Sequence, residues 1–235
     1  MKIQTCVLWA GMTLSAFVHA EQVEYDLQKV RSLIEQKEYA QAFALQQKYF
    51  DVSRDADDQF GVRLSFALGD WAELAEVYPP AMEALRNRIE EHESTLLSGS
   101  GDFDTMMEYS AFNELLGEQG ATVEVFRAID ERYPEQADSL YIAVKDELFA
   151  QQEYQLIYKY LTDPIYAYEQ ARHRRELDLS HVRTGRIKGD RFHTDKSYSQ
   201  SVYELLQMAE SLGLIEEYNE IKKRHKAYVD LYQKP

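Results

Sequence analysis

Val23-Glu24-Tyr25-Asp26-Leu27-Gln28-Lys29-Val30-Arg31-Ser32-Leu33-Ile34 carries apolar side chains at 23, 27, 30, 33 and 34. Steps of three and four put all five on one face of an α-helix, whereas a half-buried strand would alternate. The same spacing returns through Ala40, Phe43, Ala44 and Tyr49, through Leu140, Val144, Leu148 and Phe149, and through Leu205, Met208, Leu212 and Ile215. Sustained period-two stretches are absent, as are Asn-Gly and Asp-Gly hairpin turns. The chain is therefore read as all-α.

Punctuation divides it into about ten helices joined as short antiparallel neighbours. Breaks are expected near Lys37, Val52, Gly69, Pro79-Pro80, residues 98–101, Gly117 to Gly120, Pro134, Gln152, Pro164, Gly185 to Lys196, and Gly213. Proline lacks an amide donor but is tolerated in a first turn, so Tyr133-Pro134 and Asp163-Pro164 read as helix starts. Gly69 and Gly213 sit where a left-handed C-terminal cap is expected. A final helix pair is expected over about 195–232.

The turns repeat. Lys37-Glu38-Tyr39, Gly69-Asp70-Trp71, Gly120-Ala121-Thr122 and Gln152-Glu153-Tyr154 each follow one apolar helical run and begin another. Tyr39 to Trp71 is 32 residues, Thr122 to Tyr154 is 32, and Trp71 to Thr122 is 51. One helix pair cannot bury its apolar stripe alone, so such units stack. The pattern, over residues 24 to 161, resembles the tetratricopeptide family: Gly69-Asp70-Trp71 fits its turn, and Tyr39 with Ala42 fits its aromatic-to-alanine spacing. Val30, Val62, Asn113 and Lys145 stand where that family places a small residue, and Pro79 and Pro134 shorten the second helices. The resemblance implies antiparallel helix pairs stacked as a superhelix of irregular units, with a groove for a protein or peptide. It carries over no binding residue.

The chain opens with Lys2, an apolar run from Cys6 to Val18, then Val18-His19-Ala20 before Glu21-Gln22. Charged start, short apolar run and small residue form the layout of a secretory signal peptide, with cleavage expected after Ala20. The run is 13 residues, short of the roughly 20 that span a bilayer. Cys6 stands at the start of the run and not after it, so it is not placed to accept a lipid. Residues 21–235 are expected to form a single helical-repeat domain, with a candidate sub-boundary at 98–101. The address is exported, periplasmic or secreted.

Composition narrows the function. Cleavage would leave 25 basic and 41 acidic side chains, net −16, and no cysteine. Without a disulfide the domain must be held by its core. An apolar content of 45% with 17 tyrosines, against only five prolines, supports a folded chain. The acidity disfavours nucleic acid and anionic membranes. No cofactor or metal is expected: His173 and His181 would be about 12 Å apart along one helix, and no His-Glu-x-x-His occurs.

Two regions are candidates for partner binding. Arg172, Arg174, Arg175, Arg183, Arg186, Lys188 and Arg191 oppose only Glu176, Asp178 and Asp190. Arginine forks suit carboxylates, so this stretch could hold an acidic partner; it could equally be a solvated helix end. Tyr154 and Tyr158, four apart, should share a helix face and could line a groove or simply pack between helices. Gly185 to Lys196 reads as a connector, and Ser98-Gly99-Ser100-Gly101 lacks the Lys-Ser/Thr of a phosphate loop.

The leading expectation is a non-catalytic interaction scaffold or adaptor outside the cytoplasm, binding a protein or peptide. The alternatives are a cell-envelope enzyme or glycan-binding module, for which Glu210-Ser211 is the only trace, or a structural subunit of an envelope complex.

Overall fold

The structure is a computed structural model that describes residues 26–54, 56, 58–186 and 191–232. The expected signal peptide and its cleavage point at Ala20 lie outside the described residues. Among those described there is no strand. The helices are α1 (Leu27–Glu35), α2 (Tyr39–Val52), α3 (Phe60–Val62), a π-helical turn (Arg63–Ala67), α4 (Leu68–Val77), α5 (Pro79–Leu97), α6 (Phe103–Leu115), α7 (Gln119–Arg132), α8 (Pro134–Ala150), α9 (Tyr154–Tyr160), α10 (Pro164–Arg183), α11 (Arg191–Ser211) and α12 (Ile215–Tyr232). The all-helical expectation holds. The chain divides into two compact units, Met1–Trp71 and Ala72–Pro235. Residues 98–101 form a turn inside the second unit.

In the first unit α1 packs on α2. Trp71, fully buried, meets Phe50 edge-on at 4.8 Å and Phe43 at 6.1 Å. The π turn loosens the backbone ladder, and the buried Gln46 side chain donates to the Ala67 carbonyl at 2.5 Å. Arg63 is buried as well, donating to the Phe50 carbonyl at 3.3 Å with its guanidinium 4.8 Å from the Phe50 ring centre.

Two readings of this region are corrected. Gly69 is no C-terminal cap: α3, the π turn and α4 run on without a break. The residues that resembled a turn are held inside the helix. Trp71 is the core aromatic, and Asp70 accepts from Arg31 Nε at 2.8 Å. In α2 the buried face is Ala42, Gln46, Tyr49 and Phe50, while Ala40 and Ala44 are exposed. The stripe shifts so that a polar residue, Gln46, faces inward, where its side chain donates to the Ala67 carbonyl.

Six chain reversals share one device. Lys37, Gly99, Gly117, Gln152, Gly185 and Gly213 all have positive φ, and each closes a helix. At Gln152 the amide donates to the Phe149 carbonyl at 3.1 Å, and the next amide, Glu153, to Leu148 at 2.9 Å. That paired 5→2 and 6→1 pattern satisfies two orphan carbonyls and recurs at the other five positions. The third turn of the repeat is therefore centred on Gly117, and Gly120-Ala121-Thr122 lies within α7. Pro79, Pro134 and Pro164 open α5, α8 and α10, as their missing amide allows.

In the second unit neighbouring helices pack in series from α5 to α9 and from α10 to α12. Next-but-one helices also pack: α5 on α7, α6 on α8, α10 on α12. This layering is what stacked helix pairs require, and it is compatible with a helical-repeat fold.

Helix α6 is buried over more than half of its circumference, through Thr105, Met106, Glu108, Tyr109, Ser110, Phe112 and Asn113. It makes one side-chain hydrogen bond to each of three neighbours. Glu108 pairs with His92 of α5 at 2.8 Å, Ser110 donates to Glu147 of α8, and Asn113 donates to Thr122 of α7 at 3.2 Å. His92 also stacks on Phe112, 5.7 Å between ring centres.

Two stability measurements check this account. Gln152→Gly should raise the stability by about 1 kcal/mol in a urea melt, because a β-carbon is strained in the left-handed region. His92→Leu should cost about 3 kcal/mol by removing the hydrogen bond to the buried Glu108 carboxylate, and His92→Leu with Glu108→Leu should recover most of it.

Candidate functional site

The basic stretch begins on α10, whose start is fixed by Asp163. Its side chain caps the amides of Ile165 and Tyr166 at 2.6 and 3.0 Å. From there the helical turn of about 100° per residue sends successive arginines in different directions.

Arg175 points inward. It is buried, donates from Nε and Nη2 to Asp195 of α11 at 2.8 and 2.6 Å, and from Nη1 to the Tyr228 hydroxyl of α12 at 2.7 Å. Its guanidinium lies 5.5 Å from the Tyr198 ring centre and 5.3 Å from that of Tyr228. The Tyr228 hydroxyl donates onward to Glu176. Arg175 thus ties three helices together, and the structure does not offer it to a partner. The sequence placed it beside Arg174 on a surface; burial of its neighbours' tyrosine rings decides otherwise.

Arg174 is 77% exposed and reaches Asp178 at 3.5 Å. Arg183 donates to the Leu179 carbonyl near the helix end, and Arg183 and Arg186 are exposed. Lys188 lies outside the described residues. Arg172 takes a third direction, to Glu169 at 2.8 Å, with its guanidinium 5.6 Å from the Tyr228 ring centre. The arginines therefore do not converge as one patch.

What does converge is a groove between α10 and α12. Its volume is about 290 Å³, and it is lined by Tyr168, Glu169, Arg172, Arg224, Ala227, Tyr228 and Leu231. The Glu169 carboxylate is shared by two guanidinium groups, Arg172 and Arg224, the latter at 2.8 Å. Arg224 also donates to Glu220 at 2.8 Å. Leu231 is 67% exposed at the groove's edge. On α12, Arg224, Ala227, Tyr228 and Leu231 fall at i, i+3, i+4 and i+7, so one helix face forms the wall.

Sequence reasoning missed this wall. The available signal was the run Lys222-Lys223-Arg224-His225-Lys226. Within the second unit, residues 72–163 hold 6 basic and 20 acidic side chains, whereas residues 164–235 hold 13 and 11. The change of sign at α10 was legible, but the pairing of α10 with α12 was not.

Tyr154 and Tyr158 belong to α9, which packs on α8 rather than on this groove. Tyr154 is half-buried and Tyr158 exposed. Others in the tyrosine-rich region build the interior. Tyr141 stacks on Tyr160 at 5.8 Å, Phe126 meets Tyr160 edge-on at 5.7 Å, and the Tyr160 hydroxyl donates to Asp130. Tyr168 is buried under α10, its hydroxyl accepting from Tyr198 at 3.3 Å.

His225 lies behind the groove, Nδ1 at 2.9 Å from the Tyr198 hydroxyl. Burial holds its pKa below the ordinary value of 6.5. Glu210 is exposed on α11. Among the described residues, no three His, Cys, Asp or Glu side chains come together to hold a metal ion, and no helix is long and apolar enough to cross a membrane. No protein-family model matches the chain, and neither a curated protein nor a solved structure matches it.

Two measurements test the inward arginine and the histidine. Arg174→Ala should change stability by less than about 0.5 kcal/mol, as exposed sites do, whereas Arg175→Ala should cost about 2–3 kcal/mol through loss of its buried hydrogen bonds to α11 and α12. For His225 the unfolded chain takes up a proton first as pH falls. Its contribution is therefore complete above 6.5, the ordinary value, and is lost below it as pH approaches the lower folded-state value. His225→Gln should flatten the loss of thermal stability just below pH 6.5 relative to the unaltered protein.

Proposed function

We propose that the protein is a non-catalytic interaction scaffold or adaptor of tetratricopeptide-like type, working outside the cytoplasm in a periplasm. The observation that carries this reading is the groove between α10 and α12. Two partly exposed arginines share one carboxylate beside an exposed leucine, on helices that stack in layers. A stacked helical frame holds such a wall in fixed geometry, and arginine with adjacent apolar surface is common at protein interfaces. The basic and apolar start of the chain, ending in Val18-His19-Ala20, supports the extracytoplasmic address.

The test is affinity capture from an envelope extract with the tagged full chain, read by mass spectrometry. One dominant, salt-sensitive protein partner is expected, and Arg172→Gln with Arg224→Gln should reduce its recovery about tenfold. A folded protein that captures none, or that turns over an envelope substrate, overturns the reading.

A further inference from the structure

Resting on the interaction reading above, we infer that the α10–α12 groove docks an acidic amphipathic helix of a partner protein, and that Glu169 is a built-in competitor for its carboxylates. The charge of the groove points to the occupant. Glu169 accepts from Arg172 at 2.8 Å and from Arg224 at 2.8 Å, and Glu220 accepts from Arg224 at 2.8 Å and from Lys223 at 3.4 Å, so three cations face two carboxylates. Both arginines remain accessible, with side chains 45% and 41% exposed. Each guanidinium has five N–H donors, more than Glu169 and Glu220 take up, and can receive a further carboxylate. The stack of Arg172 against the Tyr228 ring, 5.6 Å from its centre, keeps its fork oriented in advance.

Shape selects a helix over a small molecule. The lining runs from Arg224 to Leu231, about 10 Å along the α12 axis. Its volume, about 290 Å³, suits a few side chains and not an enclosed ligand. An amphipathic helix presents an apolar residue to Ala227 and Leu231 and acidic residues one turn away to the arginines. The surrounding field favours the same occupant. Residues 164–235 carry 13 basic against 11 acidic side chains, while residues 72–163 of the same unit carry 6 against 20 and repel anions.

A partner carboxylate must displace Glu169 from the arginine pair or share it. Neutralising Glu169 should therefore strengthen binding, the opposite of what loss of a direct contact would do. The probe is a fluorescein-labelled synthetic helical peptide with leucine and glutamate at i and i+4, compared with its glutamine analogue. Fluorescence anisotropy with the full chain should show the acidic peptide binding at least about fivefold tighter than the analogue. Glu169→Gln should tighten it about fivefold and Arg224→Gln weaken it about tenfold. Leu231→Glu, a change at an exposed position that leaves the core intact, should weaken it as well.

Equal affinity for both peptides, or no gain with Glu169→Gln, overturns the proposal. So does equal binding of an anionic oligosaccharide, which would show charge attraction alone. Envelope capture separates the two readings. A partner recovered equally by the unaltered chain and by Arg224→Gln leaves the scaffold standing and removes the groove, whereas loss of all protein capture removes both.

Discussion

A carboxylate almost out of reach of water lies against a histidine between α5 and α6, and the packing of the second unit depends on that pairing. Glu108 and His92 have side chains only 1% and 6% exposed. An isolated carboxylate in that setting would cost several kcal/mol, so the two helices are constrained to the register that joins them. Ser110 with Glu147 and Asn113 with Thr122 extend the constraint to α8 and α7. Apolar contact is non-directional and would tolerate sliding of one helix on another; these hydrogen bonds do not. The stacked arrangement from α5 to α8 is thus held by burial and aligned by a few polar pairs.

The same division of labour governs α10 to α12. Tyrosine rings supply buried area, and Arg175 supplies direction through Asp195 and Tyr228. With Arg175 committed inward, Arg172 is left one helical turn away at the edge, where it meets Arg224 across Glu169. The groove therefore follows from the interior network: the residue that fixes the helices also determines which arginines stay available.

Much of the local structure was legible from residue types. Pro79, Pro134 and Pro164 open helices, and Gly213 closes one, because missing amides and left-handed backbone are local properties. Leu140, Val144, Leu148 and Phe149 are buried as their spacing predicted. Gly69 misled because glycine permits a cap without requiring one, and Trp71 and Asp70 gain more inside a continuous helix. Gln46, Glu108 and His92 carried no signal of burial in the sequence, because a polar side chain is buried only when a partner from another helix reaches it.

The sequence by itself determined that the chain is helical, where most helices turn, and that its excess of acid ends near residue 164. These depend on neighbours within a few positions or on simple charge. Only the tertiary structure decided that Arg172, Arg174 and Arg175 have three different surroundings: a groove, solvent and the interior. It also brought Arg224, more than fifty residues away, to Glu169. A helix rotates each residue by about 100°, and which direction counts as inside is settled by the helices that pack against it.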